Sequence, residues 1–459
     1  MEAGTTAVGA IPAPDSEGPL RRAISRRMLL FFILGDVLGA GIYALVGEVA
    51  GEVGGAVWTA FTVGLVLAVC TAFAYAELVT KYPHAGGAAL YINRAFKQPF
   101  ITFMVAFAVM ASGVTSASTL SVAFAGDYLQ EFVSVPTTLA GLVFIGIVAL
   151  INFRGISESV KTNVVLTVVE LTGLLMIILI GLWVLGSGDG DIGRNFEFRK
   201  GENVFIAILA GTSLAFYALI GFEDSANVAE ETQEPTRSYP FALFVGLAIA
   251  GALYFLVTFA ASVVVPTSQL AESDGPLLEV VRQGSSIPTR LFSAIALLAI
   301  ANGALINMIM ASRLLYGMSR EEIMPGVLGR VHEGRRTPWV AIVFTTLLAV
   351  VLISIGTLEE LAATTVILLL LVFTMVNIAV LVLRRESVDH AHFTTRRIFP
   401  VLGIIISVVL AIKLATDQDL KVFVITGIVL AAGVLLWFLT RLLGTRTGRD
   451  DSDLSGLGQ

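Results

Sequence analysis

Apolar stretches of roughly twenty residues, the length a helix needs to cross a bilayer, recur along almost the whole chain. Twelve windows meet or nearly meet that length: 28–50, 55–79, 100–126, 137–153, 161–186, 203–229, 239–265, 289–318, 338–357, 361–383, 398–416 and 419–441, the fourth being short. They lack alternation and are interrupted by Gly and Pro, which fits helices and not a barrel. Only 14% of the 459 residues are charged, against about 25% in soluble chains, and the charges bunch between the windows. A soluble enzyme, a nucleic-acid binder and a disordered protein are excluded on that ground. The net charge of −6 also argues against a polyanion partner. Cys70 is the sole cysteine, so no intrachain disulfide, cysteine zinc cluster or CxxC chemistry is available. The expectation is an all-α polytopic membrane protein of twelve transmembrane helices.

Met1 to Leu20 is small, polar and acidic, without the basic–apolar–small order of a signal peptide, and residues 1–25 read as a disordered tail. The polar, Gly-rich stretch 444–459 reads as a second tail. Placing the N-terminus in the cytoplasm puts 22 of the 29 Lys and Arg residues on the inner side. That asymmetry, with an even number of spans, predicts both termini inside.

Two windows carry breaks. In mid-span the first reads Gly35-Asp36-Val37-Leu38-Gly39-Ala40-Gly41-Ile42-Tyr43. Each interior Gly costs about 1 kcal/mol against Ala. Close packing through small residues would use the same composition. An unwound turn at that depth, however, must line protein or water, and its freed amides form an anion site at a half-helix N-terminus. The sixth window carries Phe216-Tyr217-Ala218-Leu219-Ile220-Gly221-Phe222-Glu223. Lipid-facing Glu223 would be costly, so it is expected to face a cavity or a partner. Two broken helices five spans apart are the pattern of facing inverted repeats with a substrate site at the midplane.

These residues, with Tyr75-Ala76-Glu77-Leu78 through Phe96, Phe216 through Pro240, and Ser312-Arg313-Leu314-Leu315-Tyr316 through Thr337-Pro338, resemble the amino acid–polyamine–organocation superfamily of permeases. The match runs in order from about residue 22 to 383. Gly39 to Tyr43 followed by Gly47-Glu48-Val49-Ala50 is similar to its cationic amino acid transporter branch. The resemblance implies a LeuT-type fold: a first repeat over 26–202 (helices 1–5), an inverted second repeat over 203–397 (helices 6–10), and two further helices over 398–443. It implies alternating-access transport of an amino acid or related amine at the plasma membrane, without a cofactor. By the same resemblance the substrate carboxylate rests on the amides of Ala40, Gly41 and Ile42, with Gly39 in the same site. Its ammonium rests on carbonyls of Val37, Tyr217 and Ile220, beside Ala218, with Tyr217 or Phe216 as the outer gate. Amides at a helix start favour an anion and freed carbonyls a cation, so neither role needs a charged side chain.

One position departs from the pattern. Glu170 falls where many sodium-independent relatives carry a lysine. An acid cannot supply that fixed positive charge; it can carry a proton, ligate a cation such as sodium, or make a structural hydrogen bond. Asp36 can attract a cationic substrate, titrate, or cap the broken helix, and Glu223 is a third coupling candidate. Glu77 reads as an ion pair with Lys81. Asn302 and Asn307 read as interhelical bonds, with a cation pocket as the alternative, and Arg313 as a snorkelling side chain. The four histidines fall in loops without metal spacing, and the acids of Ser187 to Asp191 lack the glutamate of an EF-hand. Pro266 to Pro288 is long enough for a short outer helix, an external lid. A membrane enzyme would need a motif such as HExxH, which is absent, and a channel would not need two paired breaks. Within transport, a polyamine or organic-cation carrier and a sodium-coupled symporter are the alternatives to proton-coupled amino acid symport or exchange.

Overall fold

The computed structural model describes residues 22–39, 41–84, 86–155, 160–320, 324–332, 335, 337–417 and 420–444. Ala40 and nearly all of the two expected tails lie outside them. The first window is two helices, α1 (Arg26–Leu38) and α2 (Gly41–Val53), followed by α3 (Val57–Lys81), α4 (Gly87–Phe96), α5 (Pro99–Ala125) and the single turn α6 (Asp127–Gln130). Then come α7 (Thr137–Arg154), α8 (Val160–Ser187), α9 (Val204–Ala215) and α10 (Pro235–Val264). The short α11 (Thr267–Glu272) and α12 (Pro276–Gly284) precede α13 (Thr289–Arg320), α14 (Trp339–Ile355), α15 (Leu358–Leu383), α16 (Ile398–Asp417) and α17 (Leu420–Gly444).

Among the described residues, eleven segments are long and apolar enough to cross a membrane; α14, at the ninth window, is a shorter apolar helix of 17 residues. Its limits have local causes. Pro338 precedes its first residue, and at its other end Gly356 turns extended. Thr357 is already committed to α15: its hydroxyl accepts from the Glu360 amide while the Glu360 carboxylate accepts from the Thr357 amide, a capping box. α4 was not anticipated from the sequence. It starts at Gly86 (φ 139°), ends at Lys97 in the left-handed region (φ 51°), and buries Leu90, Tyr91 and Ile92 against α5 and α15.

Burial separates an interior from a periphery. The most apolar stretch is 71% buried in the first span and 67% buried in the sixth, but only 28% in α16 and in α17. The two broken spans are therefore central, and α16–α17 present most of their apolar surface outward, as a bilayer permits. α1 packs on α8 and α10, α2 on α9 and α11, and α5 on α13 and α15.

Where one short helix was expected after the seventh window there are two, α11 and α12. Gly47 of α2 meets α11 so closely that a Cβ there would lie 2.4 Å from the Leu270 carbonyl oxygen. Asp127 Oδ2 accepts from the Ser273 hydroxyl (3.0 Å) and the Gly275 amide (3.1 Å). Glu131 accepts from Arg282 and, at 2.6 Å, from the Thr289 hydroxyl. Together these bonds hold its carboxyl below the usual carboxylate range.

At the opposite end, carrying Arg22, Lys81 and Arg384, the expected Glu77–Lys81 pair is corrected. Glu77, 1% exposed, takes a bidentate bond from Arg384 (2.9 and 2.7 Å) and another from the Thr395 amide (2.9 Å). Lys81 instead donates to the carbonyls of Leu383 and Glu386, both at 2.6 Å. A buried carboxylate needs both oxygens satisfied, and the planar guanidinium fork supplies that where one ammonium cannot.

Candidate functional site

The break in the first span lies between α1 and α2, where Gly39 leaves helical geometry (φ −10°, ψ 172°). In the sixth span α9 tightens into a 3-10 turn, Phe216–Leu219; Ile220 is extended, and a second 3-10 segment, Phe222–Val228, follows. Gly221 between them has φ 120°, a conformation only glycine adopts readily. A Cβ there would also lie 2.8 Å from the Asp36 carbonyl oxygen. The two breaks therefore touch. Gly41 meets the other turn as tightly, since a Cβ on it would fall 2.6 Å from Ala218 Cα.

A cavity of about 760 Å³ opens from this junction. Val37, Gly39, Gly41, Tyr217, Ala218 and Ile220 line it, as do Asp36 and Glu223. Ile42 and Phe216 are buried and absent from the lining; Phe216 packs edge-on against Phe373 at 6.0 Å. The cavity runs from the breaks towards Gly86, Glu231, Arg313 and Arg320, so it opens on the basic end. At its other end the Tyr217 hydroxyl meets Ser116, 3.0 Å from Oγ and 3.2 Å from the carbonyl oxygen.

Electrostatically the cavity has an anion-favouring and a cation-favouring wall. The first-turn amides of α2 lack intrahelical acceptors, and the last-turn carbonyls of α1 lack intrahelical donors. Glu223 Oε2 accepts from the Gly221 amide at 2.9 Å, so this acid satisfies the backbone of the unwound turn. Asp36 is half-buried on the cavity wall. Two carbonyls expected to face the cavity already hold donors: Val37 accepts from the Tyr254 hydroxyl (2.6 Å) and Tyr217 from the Ile220 amide (3.4 Å).

Glu170 stands apart from this lining. It is 1% exposed on α8, which packs on α1, α10, α12 and α13. Its Oε1 is enclosed without a hydrogen-bond partner among the described residues. Its backbone carbonyl accepts from the Tyr43 hydroxyl at 2.8 Å, which ties α8 to the start of α2. Asn307 lines the cavity and donates to the Gly303 carbonyl of its own helix. Among the described residues no group of three His, Cys, Asp or Glu side chains suits a metal ion.

Sequence reasoning missed Ser116, Asp224, Asn227 and Tyr254. The first three line the cavity, and Tyr254 bonds to both breaks. A polar side chain within an apolar window was the only signal any of them gave. A family model described as amino acid permease matches residues 24–439. The branched-chain amino acid permease BcaP of Bacillus subtilis is 24% identical over 83% of this chain and 84% of its own length. The chloroplastic cationic amino acid transporter 9 of Arabidopsis thaliana is 28% identical over 70% and 61%. The low-affinity putrescine importer PlaP of Escherichia coli K12 is 26% identical over 70% and 72%.

Proposed function

Because the chain belongs to the amino acid permease family, within the amino acid–polyamine–organocation superfamily, we propose that it is a secondary active transporter that carries an amino acid across the plasma membrane by alternating access. The observation that carries this reading is the single cavity in which the amides starting α2 stand beside the carbonyls ending α1 and the unwound turn at Ala218 to Gly221. Such a pair of walls suits a zwitterion, with the carboxylate at the α2 start on the Gly41 amide and the ammonium on the carbonyls. Ala40, the residue before Gly41, is assigned there by sequence alone. Tyr217 covers the substrate on the side of Ser116. We assign the twelve spans to a LeuT-type arrangement, α14 being the ninth, with five-helix inverted repeats, two appended helices and both termini cytoplasmic. On that assignment the cavity faces the cytoplasm.

A polyamine or organic-cation carrier is the second reading, favoured by Asp36, Asp224 and Glu231, which line the same cavity. Coupling is assigned to Glu170, which takes a proton from outside and releases it inside. Uptake of L-leucine, L-arginine and putrescine into proteoliposomes tests both readings. An inward pH gradient without sodium is expected to drive uptake. Glu170→Gln is expected to lose that drive and retain exchange of internal for external substrate, whereas Asp36→Asn, the rival, is expected to keep it. Sodium-dependent uptake that ignores the pH gradient would recast Glu170 as a cation ligand.

A further inference from the structure

The Tyr254 hydroxyl, fully buried on α10, lies 2.6 Å from the Val37 carbonyl oxygen and 2.9 Å from the Ala218 carbonyl oxygen. A phenol carries one proton, so these acceptors share it. They belong to different broken spans. Val37 is in the last turn of α1, where carbonyls have no intrahelical donor, and Ala218 is in the 3-10 turn that ends at extended Ile220. The ring is held edge-on by Phe61 of α3 at 5.7 Å, so the hydroxyl is presented from a packed scaffold and not from a mobile side chain.

Resting on the transport reading above, we propose that Tyr254 is a positioning residue: its shared proton clamps the ends of the two broken spans together and fixes the spacing of the carbonyl oxygens offered to the substrate's ammonium. Each carbonyl oxygen has two lone pairs. The tyrosine takes one from each and leaves the other for an incoming N–H. Without the hydroxyl, two buried carbonyls lose their donor and the two ends relax independently.

Tyr254→Phe keeps the ring and its contact with Phe61, and two measurements test it. Amide hydrogen exchange on the purified protein needs no substrate. Exchange is expected to quicken about tenfold in residues 37–43 and 216–222 together, the size of one lost hydrogen bond, and to stay unchanged in α16. In proteoliposomes the KM for tritiated L-leucine or L-arginine is expected to rise about tenfold, with the turnover rate changing less than about twofold. Inhibition by 4-methylpentanoate and 5-guanidinopentanoate, which lack the ammonium, is expected to keep its wild-type constants. Unchanged exchange at either break overturns the clamp, as does equal weakening of the amino and des-amino probes. If exchange quickens in both breaks while the wild-type protein takes up neither amino acid, the clamp stands and the transport reading fails.

Discussion

At Gly41 only a hydrogen fits. A methyl group would lie 2.6 Å from Ala218 Cα and 3.0 Å from its Cβ, and those atoms are backbone or tied to it. Overpacking of this kind costs about 1–3 kcal/mol, and relief would separate the two breaks. Gly41→Ala is expected to raise the uptake KM about tenfold or more, whereas Gly146→Ala, where nothing lies within 4 Å, serves as the neutral control. Equal KM values in the two variants would show that the close approach is not needed. Gly39, Gly41 and Gly221 were legible in the sequence because they cluster in mid-span with the acids Asp36 and Glu223. Tyr254 was not, since a tyrosine in an apolar window gives no sign of whether its hydroxyl meets lipid headgroups or a broken helix. Glu77 misled for a related reason. Lys81 is its neighbour one turn on, while Arg384, its partner in space, is 307 residues away.

The helices themselves were largely readable, because bilayer thickness sets their length and apolarity their place. What escaped was amphipathic or cut short by its neighbours. α4 has too few apolar residues to register as a span, and α14 ends where Thr357 is drawn into the cap of α15. A short helix between the seventh and eighth windows was foreseen, but not the ties that hold α11 and α12. Glu131, placed after α6, receives Thr289 of α13 and Arg282 of α12, and its side chain is 17% exposed. A carboxyl whose pKa is lower in the folded than in the unfolded state stabilises fully above the unfolded value, about 4.3, and loses that contribution as pH falls through the folded one. Amide exchange in α12 is therefore expected to rise below about pH 4 in the wild type. Glu131→Gln is expected to show the faster exchange already at pH 7. Identical exchange profiles for the two proteins would remove Glu131 from the attachment of α12.

As a whole, the molecule places its two broken, largely buried spans around a cavity that reaches Ser116 at one end and opens at the basic end. On the reading proposed above, this cavity is one half of an alternating-access cycle, and the other half has Tyr217 leave Ser116 and α11–α12 move from α2. A channel would not need that exchange, because its path opens to both sides at once. The distinction can be measured directly in proteoliposomes loaded with unlabelled L-leucine, L-arginine or putrescine and placed in a trace of the same labelled compound. For the compound that is the substrate, transient accumulation of label above the equilibrium level, saturating with external concentration, is the predicted result. Label that only equilibrates for all three, at a rate linear in concentration and indifferent to the internal load, would contradict it.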